Sequence, residues 1–480
     1  MIHRIFFFLL IVFLPTQLGL HFWPEWSYVL GRRIDFLSST LFITDILLVG
    51  TVMFWLLEYL FMKKSIKGLV LSIWGKSILL NTIYLMLIPL FIYFNILNAA
   101  SRPVALYSWF KFFEYVLLFM YIIKTKPSIY FLSTGLTVGI LYSSIIAIGQ
   151  FLLQHSLGGI FWFLGERTFT VDTPGIARFP LCLPSFFGCI EFLRSYATFP
   201  HPNVLAGYLA VGVPLLLNKQ IAKYTNKQIN KLNTVRKIAI VLGLLALVLT
   251  FSRSAVLVMI LFGLFRFMQF FIFDKVKLVN TARPERSRRE YRILNTAFMI
   301  HTSIFKKAAI LFVFLLCVVG LYVLKNFNLA EESLVVRQEL MASAWTLFQS
   351  SPLFGIGLGN FIVRLPDVLT AHSVYFLQPV HNIYLLLLSE IGIVGIGSLL
   401  LFGYIFLNTA ISNIKNQKSN IQLKNKKSHH ALRITLFVIL VLGFVDHYWL
   451  TLQQGQILFT LILGYSFFTS SAVFPEKKDA

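Results

Sequence analysis

Runs of about 20 consecutive apolar residues recur along the whole of this 480-residue chain, and they constrain its fold more than any motif does. A run of that length matches the roughly 30 Å hydrocarbon core of a bilayer. Backbone N–H and C=O groups in lipid must be bonded internally, which leaves helices or a closed barrel. The runs do not alternate with period two, so a barrel is disfavoured. With 57% of residues hydrophobic and only 13% charged, a soluble fold of this length would leave too much apolar surface in water. The fold class read from the sequence is therefore all-α: a polytopic transmembrane helical bundle of about 12 spans.

The spans are expected near 5–20, 40–62, 77–97, 104–123, 130–153, 203–217, 236–251, 253–273, 308–324, 381–409, 431–448 and 455–472. The opening MIHRIFFFLLIVFLP lacks a small-residue cleavage site and reads as an uncleaved first span. The net charge of +23 would point to nucleic acid in a soluble protein. Here the Lys and Arg sit in short loops, such as Lys63, Lys64, Lys67 and Lys76, or Lys415, Lys418, Lys424, Lys426 and Lys427. These are all even-numbered loops, so the positive-inside rule puts both termini in the cytoplasm, and no nucleic-acid partner is implied. Residues 155–202 and 325–380 become long outer loops, rich in aromatics, Gly and Pro. Such connections are usually functional or disordered; these are poor in the Lys/Glu/Ser runs of disorder and are expected to fold over the outer mouth.

The domain reading is 1–154 for spans one to five, 155–202 for an outer loop, 203–409 for a catalytic core and 410–480 for the last two spans and a short tail. Within the core, the 325–380 loop joins spans nine and ten. An amphipathic helix is expected at 334–349, with Leu334, Leu340, Met341, Trp345 and Phe348 on its apolar face. The charge-dense stretch 282–292 reads as a solvated cytoplasmic linker.

In this topology polar candidates gather at the outer ends of spans. Ser252, a good N-cap residue, precedes Arg253 at the start of the eighth span. His201 and Asn203 open the sixth span, and His381 and Asn382 the tenth, while Arg337 lies in the loop before it. Helix N-termini carry partial positive charge, and guanidinium groups fork onto phosphate oxygens, so the group suits an anionic, pyrophosphate-bearing substrate. A helix N-terminus and nearby arginines keep an imidazole neutral, which makes His381 the candidate general base. His381 could instead cap its helix, and Arg337 could pair with Glu331, Glu332 or Glu339. Glu390, about 13 Å further along at 1.5 Å per residue, reads as a structural hydrogen-bond partner. Gly355, Gly357 and Gly359 read as a turn, and Gly392, Gly395 and Gly397 as close helix packing. No Asp-x-Asp metal pair stands out, so the site is read as holding no metal and no cofactor.

Four fragments in this order carry a resemblance: ATFPHPNVLAGYL (197–209), LTFSRSAVLVMI (249–260), RQELMASAWTLFQSSPLFGIGLGNF (337–361) and HNIYLLLLSEIGIVGIG (381–397). The chain resembles the O-antigen ligase and O-antigen polymerase superfamily, most closely over about 236–403. The resemblance implies a GT-C-like, metal-independent, inverting glycosyltransferase in the bacterial cytoplasmic membrane, with its site facing outward. The donor would be a glycan on undecaprenyl pyrophosphate, and the acceptor a glycan, lipid or protein hydroxyl. Arg253 and Arg337 would hold the pyrophosphate, and His381 would be the base. The basic insertion at 274–307 departs from the family pattern.

A transporter or flippase of lipid-linked glycans is the rival reading. It would want inverted repeats and charges at mid-membrane, and no convincing repeat is found. A peptidoglycan polymerase would need a catalytic carboxylate in an outer loop, where Asp367 stands without supporting context. Cys182, Cys189 and Cys317 have no zinc spacing, and the first two could pair in an oxidising space.

Overall fold

The structure is a computed structural model that describes residues 2–61, 78–182, 189–217, 230–264, 332–369, 377–416 and 422–467. The chain divides into two units, residues 1–250 with 330–480, and residues 251–329. Of the second, the described part is an apolar helix, Arg253–Leu264. The expected ninth span, the 282–292 linker and Cys317 lie outside the described residues.

In chain order the helices are α1 Ile2–Val12, α2 Ile43–Phe61, α3 Ile78–Leu97, α4 Arg102–Thr125, α5 Ile129–Leu153, α6 Pro202–Leu216 and α7 Asn230–Leu249. With Arg253–Leu264 as α8, they continue as α9 Glu332–Ser350, α10 Phe361–Arg364, α11 Ile383–Asn416, α12 Gln422–Leu442, α13 Tyr448–Thr451 and α14 Gln453–Phe467. Four of them are long and apolar enough to cross a membrane: α2, α4, α5 and the Ile383–Tyr404 part of α11. Shorter apolar helices include α1, α6, α8 and the Leu432–Leu442 end of α12.

The all-helical expectation needs three small additions. Antiparallel ribbons join β1 Gly19–Phe22 to β4 Ser39–Phe42, β2 Tyr28–Val29 to β3 Arg32–Arg33, and β5 Arg178–Cys182 to β6 Cys189–Leu193. Cys182 and Cys189 are register partners in the last of these. The first expected span is also too long. α1 stops at Val12, and after Pro15 the chain turns into β1, where pairing with β4 replaces helical bonding.

Local chemistry sets several helix ends. Ser128 caps α5 by accepting the Tyr130 N–H, and α4 closes on Lys126 in the left-handed conformation, just before Pro127. A proline disfavours helical geometry in the residue before it. α1 packs on α2 and α5, α5 on α6 and α7, α4 on α2, α3 and α14, and α12 on α6 and α14. α9 lies against α11 as an added layer. Its buried positions are Leu340, Ser343, Ala344 and Leu347, whereas Met341 and Trp345 are exposed. The apolar face is thus rotated from the expected one, with Leu340, Ala344 and Leu347 in one buried cluster with Ile356, Phe361 and Leu386.

Helix α11 is broken at Gly392, whose φ of 64° and ψ of −171° leave the helical region. Its exposed backbone groups are taken up by the turn that follows α9. Ile356 and Gly357 donate to the Ser389 and Glu390 carbonyls, and Ile393 and Val394 donate to the Pro352 and Leu353 carbonyls. Asn95 of α3 completes the junction. Its amide donates to the carbonyls of Phe354 and Glu390, and its carbonyl accepts from Trp109 Nε1 and the Leu358 N–H. The buried Glu390 Oε1 accepts the Phe361 N–H at 3.2 Å, so the structural reading of this carboxylate holds. The expectation for Gly392 does not: it is a break rather than a packing notch.

Three helices are tied by charge. Lys111 of α4 donates to Asp45 of α2 at 2.6 Å and to Glu114 at 3.0 Å, and Gln453 of α14 donates to Asp45 as well. All four residues are buried. Removing one member of a buried ion pair leaves an uncompensated charge, at a cost of about 3–5 kcal/mol. Lys111→Leu should therefore lower the unfolding free energy in detergent by roughly 3 kcal/mol. A change below 0.5 kcal/mol, on the order of a surface substitution, would show that the cluster is not a structural tie.

Candidate functional site

A cavity of ≈ 1780 Å³ opens among α3, α4, α6, α11, α13 and α14. Phe91, Phe112, Ile391, Phe402 and Leu463 line one part of it. Another part is polar, with Arg167, His201, Asn203, His381, Asp446 and His447 on its wall.

His381 is seated by the residue after it. Asn382 Oδ1 accepts the N–H groups of Tyr384 and Leu385 and so caps α11, which leaves the imidazole out of the capping role. Asn382 also donates to the Phe444 carbonyl, and the Ile383 N–H donates to the Gly443 carbonyl. These bonds dock the start of α11 against the turn that follows α12. His381 consequently meets His447 edge to face, with ring centroids 5.0 Å apart. Its Nδ1 is buried and has no hydrogen-bond partner among the described residues. Burial, and secondarily the charge of Arg337, pulls the His381 pKa down to about 4, so the ring is neutral near pH 7.

The same turn supplies two residues that hydropathy had hidden. The eleventh expected span ran to residue 448, which would bury Asp446 and His447 inside a helix. α12 instead ends at Leu442, and both residues face the cavity. Asp446 Oδ1 accepts the His447 N–H at 3.0 Å, and Oδ2 accepts from Asn203 Nδ2 at 3.2 Å. Asn203 Oδ1 in turn accepts from Arg194 at 2.7 Å, and Arg194 Nε donates to the Thr250 carbonyl. Burial raises the Asp446 pKa to about 6, against the opposing charges of Arg337 and Arg194 and its two hydrogen bonds. His447 lies well below the usual imidazole range, again chiefly through burial, and its Nδ1 is 2.6 Å from the Thr451 hydroxyl.

His201 caps α6, its Nδ1 accepting the Asn203 N–H at 3.2 Å. It is open to the cavity but hemmed in by protein elsewhere. That burial, with Arg194 and His381 nearby, pulls its pKa down to about 3. Arg337 reaches from α9 to the Val445 carbonyl at 3.2 Å. Its charge is felt by His201, His381, Asp446 and His447. The structure thus brings together His201, Asn203, Arg337, His381 and Asn382. Ser252 and Arg253 belong to the other unit, where the Ser252 carbonyl accepts the first helical N–H, from Val256. Because His201 caps α6 and Asn382 caps α11, fewer first-turn N–H groups remain free than the sequence implied.

Asp446, His447, Arg194 and Arg167 were missed as site residues. A signal existed for the first two, since ionisable side chains in an apolar run are functional candidates by default. Arg194 and Arg167 carried none, because charge balance alone explained them. His381, Asp446 and His447 are also the one group among the described residues that could hold a metal ion, with ligating atoms within 4.8 Å of one another. The Asp446 oxygens are already hydrogen-bonded, and two arginines oppose a cation there.

Residues 238–400, a third of the chain, match the family described as O-Antigen ligase. This segment is similar to the O-antigen ligase family. It contains Arg253, Arg337 and His381 but stops short of Asp446 and His447. Comparison with curated proteins gives no match. The match to the O-antigen ligase family, together with helices apolar enough to span a bilayer, suggests a multi-pass membrane protein of ligase or polymerase type.

Proposed function

We propose that the protein transfers a glycan from an undecaprenyl-pyrophosphate-linked donor to an acceptor hydroxyl at the outer face of the cytoplasmic membrane. The observation that carries this reading is a neutral His381, its Nδ1 without a hydrogen-bond partner and under the charge of Arg337, on the wall of a large cavity with an apolar part. His381 takes the proton from the acceptor hydroxyl as its oxygen attacks the anomeric carbon. The anomeric C–O bond to pyrophosphate breaks, and the lipid pyrophosphate leaves with the electron pair. Attack opposite the leaving group inverts the anomeric configuration. Arg337, and Arg253 by the family resemblance, neutralise charge that grows on the leaving oxygens, so the reading requires no metal or cofactor. His201, Asn203, Asn382 and Ser252 support the site rather than react.

Hydrogen bonds to charged groups are worth about 1.5–3 kcal/mol. Arg337→Gln should therefore weaken donor binding by roughly 10- to 100-fold, read by titration of the lipid-linked donor into purified protein. Arg253→Gln should act in the same direction. Unchanged donor affinity in both variants would remove the pyrophosphate clamp from the mechanism.

A further inference from the structure

The connection that leaves α5 turns its apolar residues outward. Gly159–Leu164, of sequence GIFWFL, forms a short 3₁₀ helix, and its Ile160, Trp162 and Phe163 are 75%, 54% and 68% exposed. Residues 155–165 include no Lys, Arg, Asp or Glu. Single exposed apolar side chains are ordinary, but three large ones so close together make a patch that calls for a cover. Hydrogen bonds fix the segment at both ends. The two oxygens of the buried Glu166 accept the N–H groups of Leu157 and Gly158, and one of them also accepts from Gln150 of α5. The Gly165 carbonyl accepts from the Gln17 amide. Gly165 has a φ of 92°, and a Cβ there would lie 2.6 Å from Thr16 Oγ1. The aromatics are thus held outward by the base of their own loop.

We propose that this tip is a membrane anchor, with Ile160, Trp162 and Phe163 seated in the interfacial layer of the leaflet at the Leu153 end of α5. The proposal rests on α5 crossing the bilayer, which its length and apolar composition allow, and not on the transfer chemistry. α5 ends on Leu153, and Leu152 and Leu153 are themselves 72% and 54% exposed. Exposed apolar residues therefore continue along the chain from a spanning helix into the tip, with only residues 154–158 between, and lipid is what covers such a helix. A second copy or another protein would have to displace that lipid. The backbone suits insertion, because unbonded N–H groups are costly in lipid. Phe161, Gly165 and Glu166 donate to the Gly158, Trp162 and Phe161 carbonyls. A tryptophan at the water–lipid boundary keeps its ring in apolar surroundings and its N–H wet, which is why such residues gather there. Trp162 also lines the large cavity. An anchored tip sets that rim of the cavity at headgroup level, where an amphiphile enters with its tail still in the bilayer.

The test uses the full-length protein in vesicles of phosphatidylcholine and phosphatidylglycerol. Nitroxide labels go on Phe163→Cys, Leu152→Cys and Asp172→Cys, each in a chain that also carries Cys182→Ser, Cys189→Ser and Cys317→Ser and elutes as a monodisperse species. Relaxation by oxygen reports lipid, and relaxation by a water-soluble nickel chelate reports water. The label at 163 should match the one on α5 at 152, with oxygen the stronger relaxant. At 172, an exposed acidic position on the same loop, the chelate should be the stronger. A second measurement leaves the cysteines in place: quenching of intrinsic fluorescence by brominated lipid should fall from the wild type to Trp162→Phe. A label at 163 relaxed like that at 172 would overturn the anchor while leaving α5 as a span. A label at 163 shielded from both agents would also overturn it, and would give the patch to a second copy or a protein partner. A label at 152 open to the chelate would remove the span and the anchor together. The base reading of His381 stands or falls separately, on transfer itself.

Discussion

Replacing His381 with alanine should lower kcat for glycan transfer by about 10²–10⁴-fold, the range supplied by a positioned general base. The protein should stay folded, because α11 is capped by Asn382 and the His381 ring makes no hydrogen bond through Nδ1. Donor affinity should be nearly unchanged, since the imidazole acts on the acceptor proton and Arg337 on the donor charge. A fall in kcat without a change in donor affinity marks an interaction made only in the transition state. His447→Ala provides the contrast. It removes the neighbouring ring, 5.0 Å away, and should reduce the rate by less. An His381→Ala variant that retained a tenth or more of the wild-type rate would transfer the role of base to another group.

The second large effect concerns architecture. Gly355 has a φ of 71°, and a Cβ there would fall onto the carbonyl carbon and oxygen of Glu390. Gly392 has a φ of 64°, and a Cβ added there would lie 2.5 Å from the Leu353 carbonyl oxygen. Both are backbone collisions that no side-chain rotation relieves, added to the cost of a left-handed conformation in an L-residue, about 1–2 kcal/mol. Gly355→Ala should therefore lose the junction between the post-α9 turn and the break in α11. The expected readout is little or no monodisperse protein after detergent extraction. Where protein is recovered, its midpoint of thermal unfolding should be lower by about 10 °C or more, corresponding to several kcal/mol. Gly397→Ala, with nothing within 4 Å of the added atom, is the matched control and should be neutral. Equal behaviour of the two variants would contradict this account of the junction.

These two cases also show where the sequence was informative and where it was not. Apolar runs placed most helices within a few residues, because a span of that length has few alternatives in lipid. Glu390 and the Gly355–Gly359 turn were legible, since a lone carboxylate in a helix and three closely spaced glycines each have few structural uses. The end of α12 was not. Gly443, Phe444 and Val445 are held out of the helix by bonds from Ile383, Asn382 and Arg337, all 60 or more residues away in the chain. Local hydropathy carries no trace of such partners, so Asp446 and His447 were drawn into a span. The break at Gly392 escaped for the same reason, since its backbone partners are Pro352 and Leu353. The buried face of α9 was misplaced by part of a turn, since the large Leu340 and Leu347 are buried together with two small residues. Small Ser343 and Ala344 face the core, while the bulkier Met341 and Trp345 remain outside.

On the proposed reading the protein is a transferase with an outward-facing site, not a carrier. The direct measurement uses proteoliposomes holding the purified protein, a fluorescent undecaprenyl-pyrophosphate glycan and an acceptor glycan added on one side. The account predicts product carrying an inverted anomeric linkage, formed without movement of the donor between leaflets and absent with His381→Ala. Donor that crosses the bilayer with no new glycosidic bond would contradict it.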